Sequence, residues 1–397
     1  MRTSPKTPGF RPLRVHEQSF AVAFEYPVVS CRGALAPGDR TLAWCVSRRE
    51  PDRRHPMYAA IDSGVAAAWP DLTARLHAYT AAHPDVLELV GLEIVPGGEQ
   101  AKNDPSLISG LQARFAKAKL DRHAAVLAIG GGAVLDAVGF AASVIHRGVR
   151  TVRMPTTVLS QNDAGVGVKT GVNAFGAKNF IGTFAPPFAV LNDTEFLATL
   201  PARDARAGLA EAVKVSLIRD ADFFRLLEAD AVALAAGDLA ALEVAVERCA
   251  RLHLAHIAGA GDPFEMGSAR PLDYGHWSAH KLEILSGHEL RHGEAVAIGM
   301  ALDARYAERK GLLPPAALER LCALLERLGL PLYHPALSLE SGGKLAIWAG
   351  LEEFREHLGG TLTITLLTDI GRSIEVSQMD EGEVTAAIAW LQERALR

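Results

Sequence analysis

The chain has 397 residues, of which 49% are hydrophobic and 22% are charged, and its formal net charge is −5 at pH 7. This composition excludes a disordered protein, and the acidic balance excludes nucleic-acid or membrane binding driven by overall positive charge. The length predicts two domains, because single hydrophobic cores stop growing at roughly 250–300 residues.

Segments for export or membrane insertion are not predicted. Residues 1–15 are rich in Pro and Arg and are expected to form a loose tail, without the apolar run of a signal peptide. No window holds the run of apolar residues that a transmembrane helix requires. The four cysteines form no CxxC pair, so we expect buried thiols rather than disulfides. These features predict a cytoplasmic protein.

The first half of the chain alternates between short apolar runs and helical patterns. Apolar runs closed by a polar or Gly turn predict strands at 41–47, 58–64 and 125–132, and the spacing between them predicts helices at 65–81 and 106–118. Strands separated by helices indicate βαβ units and a parallel sheet. We therefore predict a Rossmann-like α/β domain over residues 1–195.

A glycine-rich turn within this domain is a candidate phosphate-binding site. In residues 126–140 an apolar strand leads through three glycines into a helix. Glycines let backbone amides approach a pyrophosphate, and a helix N-terminus adds oriented N–H groups. The spacing is not GxGxxG, so a plain strand-to-helix turn is an open alternative.

Three further turns carry polar side chains. Asp62 closes an earlier apolar run, where a carboxylate could hold an adenosine ribose. The turn 96–102 carries Glu99 and Lys102, and the turn 154–163 carries two threonine hydroxyls. Ligands of open α/β sheets bind beyond the carboxyl ends of the strands, so we predict that these turns share one edge with the glycine turn.

The segment 163–179 is Gly-rich and contains Asp163, Lys169, Lys178 and Asn179. A flexible loop with two lysines and an amide suits a phosphate group, although a solvated loop is the simpler alternative. Arg147, in the preceding HRGVR sequence, supplies a further cation.

From Leu197 onward the sequence predicts a mostly α-helical domain over residues 196–397, interrupted by a strand-like stretch at 361–371. Glu211 lies on a predicted helix with Lys214 one turn later. His276 and His280 share a helix face, and His292 begins a His-Gly-Glu turn into an apolar helix. One carboxylate and two imidazoles are typical of catalytic zinc, although ordinary core or surface histidines are the alternative.

Eight ordered motifs of this chain resemble those of the 3-dehydroquinate synthase family, the sugar phosphate cyclases. They are GGEQAK, GGGAVLD, HRGVR, MPTTVLSQNDAGVGVKTGVN, GAKNFIGTF, AGLAEAVK, a Gly-His followed by a second His, and HGEAVAIGM, and they span about residues 96 to 300. The resemblance implies an N-terminal NAD-binding α/β domain and a C-terminal helical metal-binding domain. It also implies a phosphate-eliminating lyase reaction: transient oxidation, β-elimination of phosphate, re-reduction and intramolecular aldol closure.

The resemblance further implies roles for individual residues. A zinc or cobalt ion would be bound by Glu211, His276 and His292. The residues implied to bind NAD are Asp62, Gly97, Gly98, Glu99, Lys102, Gly131, Gly132, Asp136, Thr156, Thr157 and Lys178. The residues implied to contact the phosphorylated sugar are Lys169, Asn179 and His280 at its phosphate, Asp163 and Lys214 at its hydroxyls, and Arg147 from the neighbouring subunit of a homodimer.

The chain departs from the family pattern where true dehydroquinate synthases hold a substrate carboxylate. The family arginine seven residues before the Gly-His histidine is Ala269 here, Arg270 follows one residue later, and no lysine lies between residues 214 and 281. The family asparagine three residues before that histidine is Asp273. A carboxylate at this position would repel a substrate carboxylate by about 1–4 kcal/mol at ~4 Å, and it would accept hydrogen bonds from hydroxyls. In place of the family's late lysine, the chain offers Arg355 and His357.

We therefore expect a substrate without a carboxylate, with Arg270 and Asp273 near its variable end. Sedoheptulose 7-phosphate, giving a valiolone-type or desoxygadusol-type product, is the first candidate. Glucose 6-phosphate, giving 2-deoxy-scyllo-inosose, is the second. Three alternatives stay open: a 3-dehydroquinate synthase acting on 3-deoxy-arabino-heptulosonate 7-phosphate, a metal-dependent polyol dehydrogenase that releases NADH, and a non-catalytic binding protein.

Overall fold

The computed structural model describes residues 16–259, 264, 271–357 and 362–396. The predicted N-terminal tail, Ala269 and Arg270 lie outside these residues. The strands are β1 (Val28–Cys31), β2 (His55–Asp62), β3 (Leu87–Val95), β4 (Ala125–Gly130), β5 (Arg150–Pro155), β6 (Lys169–Ala174), β7 (Ala177–Phe184), β8 (Ala189–Asp193), β9 (Glu340–Ser341), β10 (Lys344–Leu345), β11 (Ile364–Asp369) and β12 (Arg372–Val376).

The helices alternate with strands in the first half and dominate the second. They are α1 (Thr41–Ser47), α2 (Ser63–Ala68), α3 (Leu72–Ala82), α4 (Gln100–Asn103), α5 (Pro105–Lys117), α6 (Gly132–Val144), α7 (Ala202–Arg219), α8 (Ala221–Ala236), α9 (Leu239–Gly259), α10 (His276–Leu285), α11 (His292–Arg309), α12 (Pro315–Arg327), α13 (Ala349–His357) and α14 (Glu381–Ala395).

A six-stranded parallel sheet in the order β1-β8-β5-β4-β2-β3 forms the centre of the first half. The strands predicted at 58–64 and 125–132 are confirmed as β2 and β4. Along β4, Leu127 and Ile129 pack with α1 and α3, whereas Val126 and Ala128 pack with α5 and α6. Helices on both faces explain why β4 is apolar at consecutive positions.

Three local predictions in this half were wrong. The run 41–47 is the helix α1, in which Leu42, Ala43, Cys45 and Val46 are buried while Trp44 is 51% exposed. The helix predicted at 65–81 is two helices, because Pro70 cannot continue the first one. The flexible loop predicted at 163–179 contains strand β6, which pairs with β7 in an antiparallel hairpin.

The second half is mostly helical, as predicted, and its helices surround one apolar core. Asp220 accepts a hydrogen bond from the Phe223 amide at the start of α8, and Gly237, at φ +78°, ends that helix. The strand predicted within 361–371 is confirmed as β11. It pairs with β12, and the intervening Gly371 donates its amide to Leu217 of α7 over 2.7 Å.

Close helix contacts join the two halves. A Cβ on Gly208 of α7 would lie 2.6 Å from the Leu159 amide nitrogen, and Asn162 donates its side-chain amide to the Gly208 carbonyl over 3.0 Å. A Cβ on Gly293 of α11 would lie 1.8 Å from the Ala207 carbonyl oxygen. Helix α7 is therefore held between the turn after β5 and the start of α11.

The cysteines agree with the sequence prediction. Cys45, Cys249 and Cys322 are buried free thiols, and Cys31 is a half-buried one. Among the described helices, none combines the length and the apolar character that crossing a membrane would need.

Candidate active site

The four turns singled out in the sequence lie along one edge of the sheet. Asp62 ends β2, the turn 96–102 follows β3, the glycine turn follows β4, and the turn 154–163 follows β5. These four strands are neighbours and all run parallel. The topology therefore brings together turns that are up to about a hundred residues apart in the chain.

A cleft of about 400 Å³ opens at this edge. Its apolar walls include Val65, Trp69, Phe196 and Leu200. The predicted nucleotide-binding residues that line it are Asp62, Gly98, Gly131, Gly132, Thr156 and Thr157. A cleft of this size with apolar walls and a few polar groups is typical of small-molecule sites.

The floor of the cleft fits a dinucleotide. Gly131 caps α6 without a side-chain hydrogen bond, which leaves the first amides of that helix available to a phosphate. The buried Thr156 hydroxyl has no hydrogen-bond partner within the described part of the chain. A Cβ on Gly97 would lie 2.3 Å from the Asp62 carboxylate, so only glycine permits this close approach.

A second group of predicted residues forms a polar network beside the cleft. Lys102 donates to Asp136 of α6 over 2.7 Å and also to the Asn179 side chain on β7. Burial raises the pKa of Asp136, and the Lys102 charge opposes that shift. Glu99 accepts a hydrogen bond from Asn173 of β6 over 2.7 Å. The network ties the turn after β3 to the β6–β7 hairpin.

Helix α7 places a buried ion pair at the junction of the two halves. The Lys214 ammonium lies 2.6 Å from the Glu211 carboxylate, and both residues are 3% exposed. Burial raises the pKa of Glu211, against the effect of Lys214. Burial alone would lower the pKa of Lys214, but the carboxylates of Glu211, Asp163 and Asp273 raise it. One ammonium thus faces three carboxylates.

Three histidines form a triangle next to this pair. The ring centroid of His276 lies 5.4 Å from that of His280 and 5.4 Å from that of His292. The centroids of His280 and His292 are 5.9 Å apart. His276 Nδ1 lies 3.1 Å from the Tyr274 carbonyl, so its proton belongs on Nδ1 and Nε2 is left with a lone pair. Burial, with the nearby charge of Lys214, holds the pKa of His276 well below its usual value, and a neutral imidazole can bind a metal.

Two overlapping sets of donors could bind a cation here. The set implied by the family resemblance is Glu211, His276 and His292, and it is not among the groups of described residues whose ligand atoms all lie within 4.8 Å of one another. The structure brings ligand atoms of His280, Glu283 and His292 within 4.8 Å of one another. Both sets suit zinc or cobalt, and the excess of carboxylates over the Lys214 ammonium favours a divalent cation at this junction.

Two residues of this site were missed by the sequence analysis. His253 of α9 points Nε2 at the Asp163 carboxylate over 3.2 Å, and its Nδ1 has no hydrogen-bond partner among the described residues. Glu283 of α10 contacts both His292 and Lys178. No motif marks either position, because each is defined only by contacts with distant segments.

Several other residues predicted to contact the substrate are exposed at the surface. Lys169 is exposed at the start of β6, and Arg147 is exposed with φ +64° in the turn between α6 and β5. Arg355, offered in place of the family's late lysine, donates to Glu352 on the exposed side of α13. The side chain of His357 lies outside the described part.

Two models of one known protein family match adjoining parts of the chain. Residues 92–207 match the model of the 3-dehydroquinate synthase N-terminal region, and residues 208–346 match that of the C-terminal region. A 2-epi-5-epi-valiolone synthase of Streptomyces glaucescens is 42% identical over 66% of this chain and 66% of its own length. A 3-dehydroquinate synthase of Xanthomonas axonopodis pv. citri (strain 306) is 37% identical over 92% of this chain and 95% of its own.

A solved structure extends the comparison to the whole fold. The 2-epi-5-epi-valiolone synthase ValA of Streptomyces hygroscopicus subsp. jinggangensis 5008, with NAD+ and Zn2+ bound, superposes with a TM-score of 0.84 at 32% identity. The superposition covers 96% of this chain and 100% of that one. Two adjoining family regions and relatives of this identity establish that the chain belongs to the 3-dehydroquinate synthase family.

Proposed function

We propose that this protein is a sugar phosphate cyclase that uses NAD and a divalent metal ion to convert sedoheptulose 7-phosphate into a valiolone-type carbocycle. Family membership supports the reaction type, and relatives named for valiolone synthesis support the product class. The choice of substrate rests on the position of Asp273, whose carboxylate is close enough to Lys214 to raise the pKa of the lysine. A carboxylate here accepts hydrogen bonds from sugar hydroxyls and repels a carboxylate on the substrate.

NAD is proposed to lie across the strand ends. The uncapped start of α6 at Gly131 would hold the pyrophosphate. The Thr156 hydroxyl, unpaired in the described part of the structure, would form a hydrogen bond with the cofactor, and Asp62 would hold the adenosine ribose. NAD, when bound, supplies a reversible hydride acceptor, so that the ring can be oxidised transiently without net consumption of cofactor.

Zinc or cobalt is proposed to bind Glu211, His276 and His292, with one position open to substrate. The hydrogen bonds on Nδ1 of His276 and His292 support this assignment, because they leave Nε2 of each ring for a metal. The bound ion supplies a Lewis acid that polarises a substrate oxygen.

The protein's own side chains would mainly orient the sugar. Lys214, Asp163 and Asp273 offer one cationic donor and two anionic acceptors to hydroxyls in a largely buried space. Lys169, Asn179 and His280 would hold the phosphate until it leaves. Fixed charges that need no rearrangement lower the barrier through positioning and electrostatics.

The decisive experiment is phosphate release by the purified protein with NAD+ and zinc or cobalt. Sedoheptulose 7-phosphate, glucose 6-phosphate and 3-deoxy-arabino-heptulosonate 7-phosphate are tested side by side. We expect release from sedoheptulose 7-phosphate without net NADH formation. Release from the heptulosonate alone would instead identify a 3-dehydroquinate synthase, and net NADH would identify a dehydrogenase.

Metal dependence is tested with Glu211→Ala and His276→Ala. Both variants are expected to lose bound metal and turnover together. Full activity in a metal-free His276→Ala protein would contradict the proposal.

A 3-dehydroquinate synthase activity is the second candidate. It is favoured by the 37% identity over 92% of the chain to an enzyme of that name. The acidic side chain of Asp273 opposes it, for the electrostatic reason given above.

We further propose that the enzyme works as a homodimer in the cytoplasm. The exposed position of Arg147 supports a role across a subunit boundary. The free thiols support a reducing compartment.

A further inference from the structure

Glu283 is a buried carboxylate that contacts two parts of the site at once. It lies on α10 and is 4% exposed. One oxygen lies 2.8 Å from His292 Nδ1, and the other accepts a hydrogen bond from Lys178 Nζ over 2.5 Å. Both oxygens are therefore engaged, one by a proposed metal ligand and one by the β6–β7 hairpin.

The contact with His292 fixes the chemistry of that ring. A carboxylate that accepts from Nδ1–H selects the tautomer with a lone pair on Nε2, and it also holds the plane of the imidazole. Such carboxylate–histidine pairs commonly orient metal ligands and increase their basicity. His276 is oriented similarly by the Tyr274 carbonyl, but that acceptor is neutral.

The contact with Lys178 extends the pair toward the nucleotide-binding half. Lys178 is followed on β7 by Asn179, which accepts a hydrogen bond from Lys102, and Lys102 in turn binds Asp136 of α6. Two adjacent residues of β7 therefore carry the contacts: Lys178 reaches Glu283 beside the start of α11, and Asn179 reaches Lys102, which binds α6.

We propose that Glu283 is a positioning residue that orients His292 for the metal and couples metal binding to NAD binding through Lys178. The inference rests on the proposed function for the identity of the two cofactors. If NAD orders the hairpin around Lys178, it also stabilises the orientation of Glu283, and by linkage the metal must strengthen NAD binding by the same factor.

The test measures zinc affinity at equilibrium, by competition with a chromogenic chelator, without substrate and with or without NAD+. For the unchanged protein we expect tighter zinc binding when NAD+ is present. Glu283→Ala should weaken zinc binding about 10- to 100-fold. Glu283→Gln keeps an oxygen for the Nδ1 proton and loses the charge that pairs with Lys178, so it should weaken zinc binding less and abolish the effect of NAD+.

The matched control is Glu289→Gln, a substitution at a glutamate whose side chain is 76% exposed. It should leave the zinc affinity unchanged both with and without NAD+. Equal losses for Glu283→Gln and Glu283→Ala would overturn the inference, because the oxygen that glutamine keeps for the Nδ1 proton of His292 would then contribute nothing to zinc binding. Zinc binding by Glu283→Ala as tight as in the unchanged protein would overturn it as well.

Turnover does not enter this measurement, so the two proposals fail separately. A protein that shows the expected zinc and NAD+ linkage but releases no phosphate from any sugar would refute the proposed reaction alone. Retention of zinc by both Glu211→Ala and His276→Ala would place the ion on His280, Glu283 and His292, and would also overturn the positioning role.

Discussion

At the scale of single residues, the helical core holds a completely buried carboxyl group. Asp303 of α11 has no exposed surface and accepts hydrogen bonds from the Trp277 indole over 2.8 Å and from the Gly275 amide over 3.2 Å. Burial raises the pKa of Asp303 to about 7, against these two hydrogen bonds. The group is therefore protonated in the folded protein under conditions where the unfolded chain has already ionised it.

This shift predicts a pH dependence of stability. Between about pH 4 and pH 7 the folded state binds the proton that the unfolded state has lost, so the free energy of unfolding falls as the pH rises. Between pH 5 and pH 8, this group should cost the unchanged protein about 3 kcal/mol of stability, and Asp303→Asn should be spared that loss, as measured by urea unfolding. Asp85→Asn, at a side chain that is 64% exposed, serves as the control and should follow the unchanged protein. Parallel pH profiles for all three proteins would contradict a neutral, buried Asp303.

The sequence predicted individual residues where a motif marks them. Glu211, Lys214, His276 and His292 were singled out this way, and the structure brings them to the same junction, while their roles remain a prediction. His253 and Glu283 were not found, because a histidine or a glutamate on an amphipathic helix carries no sign of its distant partner. Lys102 and Asp136 were each predicted to bind NAD, and only the structure reveals that they bind each other.

At the scale of elements, the contact between α10 and α11 depends on glycines. A Cβ on Gly299 would lie 2.1 Å from the Gly275 carbonyl oxygen and 2.9 Å from the Ser278 hydroxyl. Gly275, at φ +76°, directly precedes His276. The distance between the two helices therefore also sets the distance between His276 and His292.

We expect Gly299→Ala to separate these helices. It should lower the free energy of unfolding by about 1–3 kcal/mol or more, because added methyl groups in a packed interior force backbone shifts. Zinc affinity should fall as well. Thermal unfolding and zinc titration test this against Gly38→Ala, where the added methyl group meets nothing within 4 Å. An unchanged zinc affinity in a destabilised Gly299→Ala protein would contradict the prediction, because it would show that the packing of α10 against α11 does not set the geometry of the metal site.

Element prediction succeeded for β2 and β4, where apolar runs end in recognisable turns. It failed for α1 because Trp44, an apolar residue on the exposed face, hides the helical spacing of its buried neighbours. It failed for the β6–β7 hairpin because β7 is exposed at most of its positions and so lacks the buried alternation that identifies a strand.

At the scale of the whole molecule, the sequence predicted a parallel sheet followed by a helical half, but it could not predict the strand order. The order β1-β8-β5-β4-β2-β3 depends on pairings between distant segments, such as Val28 with Val190. No local pattern encodes such pairings. The division at residue 195 remains a prediction.

The proposed homodimer can be tested by complementation. If Arg147 acts in the partner's site, a mixture of Arg147→Ala and Glu211→Ala subunits contains heterodimers with one intact site. Random mixing should then restore about a quarter of the activity, although each variant alone is inactive. If Arg147 serves its own subunit, no combination of these chains is intact and the mixture stays inactive. Phosphate release after joint refolding, with sedimentation to establish the assembly state, decides between these outcomes.

The location of Asp273 has a consequence for the redesign of this enzyme. Asp273 ends a three-residue helical turn, Pro271–Asp273, that lies two residues before α10, whereas the proposed NAD contacts of the cleft come mainly from the ends of sheet strands. In the proposed function, the NAD contacts and the residue that selects the sugar thus come from separate stretches of chain. A library confined to this short turn can search for new sugars while every strand end is kept, and a gene family can change its products by the same route without rebuilding its redox machinery.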